Sequence, residues 1–270
     1  MENPLGKKSE FPAQYCPEVL YRVLRNRSDL GGTQFHGFDR WICYELSWLD
    51  TNGTPQAGIA ELMVSADSRY IVESKSLKLY LGSFSFERID CAESLAARVM
   101  QELSTLLESK DLTFQVFPLD AAFATTIGTP FGRCIDGYIA ATTPDMVPSH
   151  NLLRCTDEKR SETLFSNLFR SLCPVTAQPD FASVEICYTG SKIVEQSLLQ
   201  YLCSFRNAAG FHEHCCEQIF HDLTRVCRPS ELTVTCNFTR RGGIEINPVR
   251  ASSAAASLRA AQQHRRHVRQ

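Results

Sequence analysis

Cys173 and Asp180 stand seven residues apart in the string SLCPVTAQPD, and they pair a nucleophile with a proton carrier. A thiol is the strongest nucleophile among ordinary side chains once it has lost its proton. A carboxyl held nearby by a proline-punctuated loop can take that proton and deliver it elsewhere. Together they are the minimum equipment for covalent chemistry on an electrophilic carbon, a nitrile included. A free Asp, with a reference pKa of about 3.9, is ionised near neutrality. To donate, Asp180 must be desolvated or collect its proton from Cys173 as the thiol attacks.

Two other strings carry polar groups suited to a ligand. FHEHCCEQ at 211–218 places His212 and Glu213 at the start of a helix pattern, after a flexible NAAG loop. A glutamate accepts two N–H bonds from an amidine-like edge, as in guanine. The same acid also suits a solvated helix start, near the positive end of the helix. The cysteines and histidines here are too crowded for one metal ion, and no second ligand pair waits at zinc-finger distance. TRRGGIEINP at 239–248 sets Arg241 and Gly242 after a strand pattern, where bare amides beside guanidinium groups make a phosphate cradle or an ordinary hairpin turn. Lys75 offers a further charge for phosphate. No G-x-G-x-x-G or Walker string is present, which argues against a Rossmann or P-loop nucleotide site.

The elements that must position these groups occur twice. IVESKSLKLYLGSF at 71–84 returns as IVEQSLLQYLCSF at 193–205, one residue shorter. A strand pattern precedes each copy, GIAELMV at 58–64 and ASVEICY at 182–188; in the second, Val184, Ile186 and Tyr188 alternate with Ser183, Glu185 and Cys187. A helix follows each, with apolar stripes Leu95, Val99, Met100, Leu103, Leu106, Leu107 and Cys216, Ile219, Phe220, Leu223, Val226. Asp90 with Glu93 reads as a capping box for the first, and Pro229 closes the second. Strands DLTFQVF at 111–117 and ELTVTCNF at 231–238 come next. Each half reads strand, strand, helix, helix, strand, strand, which predicts an α+β fold with antiparallel sheets and helices on one face. The expected modules span 15–140 and 151–250, joined by a polar stretch at 141–160 containing Pro144 and Pro148, with a mobile basic tail at 251–270.

The copies differ in complementary ways. The first keeps Glu73-Ser74-Lys75-Ser76 but has LDTNGTPQAG where the second has SLCPVTAQPD. The second keeps the thiol and the acid but lacks the lysine. This division of labour predicts one complete site per chain, drawn from both halves.

Composition sets the class. The 270 residues are 43% hydrophobic and 21% charged, as in globular proteins. Of 28 basic residues four lie at 251–270, where no acid occurs, so the rest of the chain is net acidic against its 30 carboxylates. Such a body is poorly suited to coat nucleic acid or an anionic membrane. No apolar run reaches membrane-spanning length, and MENPLGKKSEF lacks the apolar core of a signal peptide. Twelve irregularly spaced cysteines, several at small buried apolar positions such as Cys187, Cys216 and Cys227, read as reduced thiols of a cytoplasmic protein.

With these strings assembled, the chain resembles the two-module, NADPH-dependent 7-cyano-7-deazaguanine reductases, nitrile reductases of queuosine biosynthesis in the tunnelling-fold superfamily. VESKSLKLYL at 72–81, LCPVTAQPDF at 172–181, FHEHC at 211–215 and RRGGIEINP at 240–248 carry the match, which spans residues 15–250. The resemblance implies that Cys173 forms a covalent thioimide with the nitrile and that Asp180 is the proton donor. It implies that Val72, Glu73, Ser74, His212 and Glu213 hold the deazaguanine, and that Ser74, Lys75, Arg241 and Gly242 contact NADPH. Two hydrides would give 7-aminomethyl-7-deazaguanine without a metal, in a homodimer. The tail and the doubled cysteines at 215–216 look peripheral to the motifs. Two other readings fit parts of the pattern: a zinc-dependent pterin-type cyclohydrolase of the same superfamily, and a noncatalytic purine-binding module.

Overall fold

The computed structural model describes residues 11–121, 126–139, 143 and 146–270. In chain order the elements are β1 (Arg22–Leu24), β2 (His36–Leu49), β3 (Pro55–Ser65), β4 (Tyr70–Val72), α1 (Ser74–Gly82), α2 (Ala92–Leu107) and β5 (Leu112–Phe117). There follow β6 (Ile127–Gly128), β7 (Arg133–Cys134), β8 (Cys155–Leu172), β9 (Pro179–Ile193), α3 (Glu195–Cys203) and α4 (His212–Cys227). Last come β10 (Glu231–Phe238), β11 (Ile244–Ala251), α5 (Ala254–Gln262) and β12 (Arg266–His267). The α+β reading holds, and the two repeated helix pairs are α1–α2 and α3–α4.

The chain forms two compact units, Met1–Arg25 with Asp39–Thr126 and Arg240–Ile246, and Asn26–Phe38 with Ile127–Thr239 and Asn247–Gln270. The expected boundaries therefore need correcting. Asn26–Phe38 belongs with the second unit and Arg240–Ile246 with the first. The expected junction at 141–160 runs into β8, which begins at Cys155; Pro144 lies outside the described residues. Polarity and proline marked a linker, but unit membership depends on packing partners that no local window contains.

In the first unit the strand order is β5-β3-β2, with β3 and β5 antiparallel from Ile59↔Phe117 to Val64↔Leu112. Its core joins Trp41, Leu62, Leu77, Tyr80, Leu95 and Phe114. The helix stripe is narrower than expected: Leu95, Val99, Leu103 and Leu107 are buried, while Met100 is exposed. No capping box forms. Cys91, not Asp90, is the N-cap of α2 and makes no side-chain cap bond, and its Sγ lies 3.2 Å from Ser94 Oγ.

In the second unit the order is β11-β10-β9-β8-β7, antiparallel except for β7 with β8. Val184, Ile186 and Tyr188 face a core shared with Leu198, Ile219 and Phe220, as the period-two pattern predicts. Burying each such side chain is worth about 1.5–3 kcal/mol. Cys187, on the other face, is exposed rather than buried.

The segment 251–270 is not a loose tail. Ser253 Oγ caps α5 by accepting from Ala256 N at 3.2 Å. β12 pairs in parallel with β6, and His267 and Gln270 are buried. Arg269 donates to Asn167 O at 2.7 Å and to Ala182 O at 3.2 Å. The segment's lack of large apolar groups suggested nothing to pack, yet it docks through hydrogen bonds on the polar side of β9. No helix of the described residues is long and apolar enough to cross a membrane.

Candidate active site

β8 and β9 pair down to Leu172↔Pro179, and the loop that joins them carries Cys173. The loop is closed tightly: Cys173 N donates to Gln178 O at 2.9 Å, and Ala177 N donates to Cys173 O at 3.0 Å. Ala177 adopts a left-handed φ of 54°, a conformation that L side chains favour little, to make the turn. The half-buried Cys173 thus sits at the mouth of this hairpin. One pair further in, Asp180 stands opposite Ser171 and is only 3% exposed.

His212 opens α4 and brings its Nε2 to 3.3 Å from Asp180 Oδ2. Its ring lies flat on Phe238, with centroids 3.7 Å apart and planes 8° from parallel. Nδ1 of His212 is buried and has no hydrogen-bond partner among the described residues. Glu213, in the same first turn, is 3% exposed. Cys215, one turn along α4 from His212, is buried beside Ser171. Burial, with the neighbouring Cys216, Glu213 and Asp180 groups adding to it, pushes its thiol up to about 12, so it is not a nucleophile near neutrality.

The second unit therefore gathers Asp180, His212 and Glu213 near the Cys173 hairpin. A carboxylate and an imidazole at this distance can pass a proton between them. Three relationships were not foreseen. His212 was expected to hold a ligand, and it also meets Asp180. Phe238, the last residue of β10, supports it. Cys215, taken as peripheral, lies among the motif's residues. Only the helical spacing of 212–215 hinted at the last of these, since strand ends and helix starts far apart in sequence carry no common period.

The first unit holds the other expected residues. Val72 ends β4 and is 1% exposed, its side chain packed in the core. Glu73 is the N-cap of α1: its carboxylate accepts from Lys75 N at 2.9 Å and Ser76 N at 2.8 Å. A carboxylate there satisfies two helix N–H groups and complements the helix dipole. Its spare lone pairs leave capacity for a further donor. Ser74 and Lys75 are exposed in the first turn of α1.

Arg241 and Ile244 bridge across Gly242 and Gly243, whose φ values of 58° and 78° make a tight hairpin turn. A side chain at Gly243 would strike Glu45 Cδ at 2.5 Å, and one at Gly242 would meet Lys78 Cδ at 3.1 Å. The turn thus abuts α1 through Lys78, which is paired with Glu45 at 2.7 Å. Lys75, Lys78 and Arg241, with the bare Gly242 amide, suit the phosphates and polar groups of NADPH in donor type and charge. Among the described residues no group of three His, Cys, Asp or Glu side chains is arranged to hold a metal.

Comparison with known proteins gives two family matches along the chain. Residues 11–114 match the family described as nitrile reductase, 7-cyano-7-deazaguanine-reductase N-term, and residues 179–257 match the family described as QueF-like protein. A protein of Saccharophagus degradans named NADPH-dependent 7-cyano-7-deazaguanine reductase is 42% identical over 261 residues, 93% of this chain and 95% of that one. Proteins of the same name from Coxiella burnetii and Azoarcus sp. are 40% and 41% identical, covering 98% and 93% of this chain and 95% and 90% of theirs.

Proposed function

The chain belongs to the NADPH-dependent 7-cyano-7-deazaguanine reductase family, and from that premise we propose that it reduces the nitrile of 7-cyano-7-deazaguanine to the aminomethyl group, serving queuosine biosynthesis. The observation that carries the reading is the Cys173 hairpin with a buried acid one pair inside it and an imidazole 3.3 Å from that acid.

Cys173 attacks the nitrile carbon. Its thiol proton passes to Asp180 and from there to the nitrile nitrogen, so the adduct is a neutral thioimide and no bare nitrogen anion develops. His212, against Asp180, holds the carboxyl in place and shares its proton. NADPH, when bound, supplies the hydride that adds to the thioimide carbon. A solvent proton on the nitrogen completes the thiohemiaminal, which expels the Cys173 thiolate. The thiolate takes back a proton from the iminium nitrogen, leaving an imine that takes up a second hydride on carbon and a second solvent proton on nitrogen. Two oxidised cofactors therefore leave for each amine formed, while the heterocycle stays held.

Glu213, buried beside the site, is suited to accept N–H groups of the guanine-like edge; Glu73 and Ser74, with the Val72 carbonyl, are assigned the same heterocycle. Lys75, Arg241 and Gly242, with Ser74, are assigned to NADPH. The sheet-terminal strands β5 and β7 are edges suited to association, and we extend the reading to a homodimer. Twelve free thiols fit a reducing cytoplasm.

The test is a stoichiometry. Protein, 7-cyano-7-deazaguanine and NADPH are mixed, absorbance of the reduced nicotinamide is followed, and amine is counted by mass spectrometry. Two NADPH oxidised per amine supports the scheme; a ratio near one contradicts it.

A further inference from the structure

The β10–β11 ladder covers only Thr233–Thr235 against Val249–Ala251. Phe238 still pairs with β9, opposite Ala182, but its carbonyl is engaged by a residue far along the chain. Gln270 Nε2 donates to Phe238 O at 3.2 Å and to Asn247 Oδ1 at 2.7 Å. The Gln270 amide thus takes a place that a strand partner would fill.

Gln270 is itself held on every side and is 4% exposed. Its backbone N donates to His267 O at 3.0 Å, its Oε1 accepts from His267 N at 3.0 Å, and its carbonyl accepts from Arg266 Nη2 at 2.9 Å. Arg269 fastens the neighbouring strand at Ala182 O, two residues from Asp180. These contacts meet the ends of β9 and β10 that present Asp180 and Phe238.

We propose that Gln270 is a positioning residue for the Asp180–His212 pair. It fixes the backbone of Phe238, Phe238 fixes the plane of the His212 ring stacked on it at 3.7 Å, and that plane sets the 3.3 Å contact with Asp180. The ring has little other restraint at its Nδ1, which is buried without a hydrogen-bond partner among the described residues. A shift of about 1 Å at Phe238 takes His212 beyond hydrogen-bond reach, and a misplacement of that size away from the chemistry can cost on the order of 100-fold in rate. The inference rests on the catalytic reading of Asp180 given above.

Two variants test it. Gln270→Glu keeps the shape and the acceptor for His267 N but removes the donor to Phe238 O; Gln270→Ala removes both. The rate of nitrile adduct formation is measured for each, alone and combined with His212→Ala, and the His212 ring resonances are recorded by NMR at one pH in the ligand-free protein. Either variant should slow adduct formation roughly 10- to 100-fold and shift the His212 ring resonances, yet slow the His212→Ala protein little further. An equal loss in both backgrounds, or unmoved His212 resonances in a folded variant, overturns the proposal. Should the unaltered protein form no adduct, the functional reading fails, and the His212 resonances alone decide the role of Gln270.

Discussion

Asp180 and His212 meet at 3.3 Å inside the second unit, with Asp180 3% exposed and His212 backed by Phe238. The contact gives the buried acid a proton-sharing neighbour, which separates it from the many carboxylates that only solvate a surface. Asp180→Asn keeps the size and loses the transferable proton. It should slow thioimide formation about 100-fold or more, the usual contribution of a positioned acid–base group. The rate is read by intact mass spectrometry after quenching; normal adduct yield at short times would remove Asp180 from the mechanism.

The residues assigned to NADPH in the proposed function should behave independently of the proposed covalent step. Lys75→Ala or Arg241→Ala removes a charge offered to phosphate. Each should raise KM for NADPH roughly 10-fold, the scale of one charge-assisted contact, and weaken its salt dependence. Adduct formation without NADPH should be unchanged in both. If adduct yield falls with KM, these residues serve the heterocycle or the fold instead.

Glu185 predicts a pH effect on stability. Its carboxyl accepts from Phe131 N at 2.8 Å and Asn237 Nδ2 at 2.9 Å, and burial raises its pKa from 4.5 to about 7 despite those bonds and the nearby Arg265. The folded state thus holds this proton more tightly than the unfolded chain. The stability contributed is fully present below pH 4.5 and is lost as pH rises through about 7. His267, 3.5 Å away, has the opposite sign: burial, with Arg265 and Arg269, lowers it to about 4, so its contribution is present above 6.5 and is lost as pH falls. Glu185→Gln cannot ionise and should gain on the parent protein as pH goes from 5 to 8, by on the order of 3 kcal/mol at most. Thermal melts of both proteins across that range check it; a constant gap contradicts the buried acid.

Tyr201 and Asp222 form a buried pair at 2.7 Å between α3 and α4. Burial and the adjacent carboxylate keep the Tyr201 phenol neutral, well above its ordinary pKa. Tyr201→Phe leaves Asp222, 5% exposed, without that donor. A loss of about 1–3 kcal/mol is expected in urea unfolding; an unchanged midpoint would show that Asp222 is satisfied without it.

The repeat was legible because it writes the same bonds twice. Ser83 Oγ donates to Tyr80 O at 2.6 Å, and Ser204 Oγ donates to Tyr201 O at 2.6 Å. Tyr80 donates to Glu102 where Tyr201 donates to Asp222. Both second helices end in left-handed residues, Glu108 and Arg228. Periodicity and short motifs record such local patterns well. They do not record which unit a segment joins, so Asn26–Phe38 and Arg240–Ile246 were misassigned. Nor do they record polar docking, which is why 251–270 read as loose although His267 and Gln270 are buried. At the site, the SLCPVTAQPD loop put Cys173 and Asp180 in one short hairpin segment; the Phe238–His212 stack, which needs a strand end and a helix start to meet, left no trace in either string.

The central claim is a covalent bond to one sulfur. Protein is incubated with 7-cyano-7-deazaguanine in the absence of NADPH, and the intact mass and a peptide digest are recorded. The account predicts a gain equal to the whole nitrile compound, localised to the peptide containing Cys173 and missing from the Cys173→Ala variant. An adduct on another cysteine, or turnover retained by that alanine variant, would contradict it.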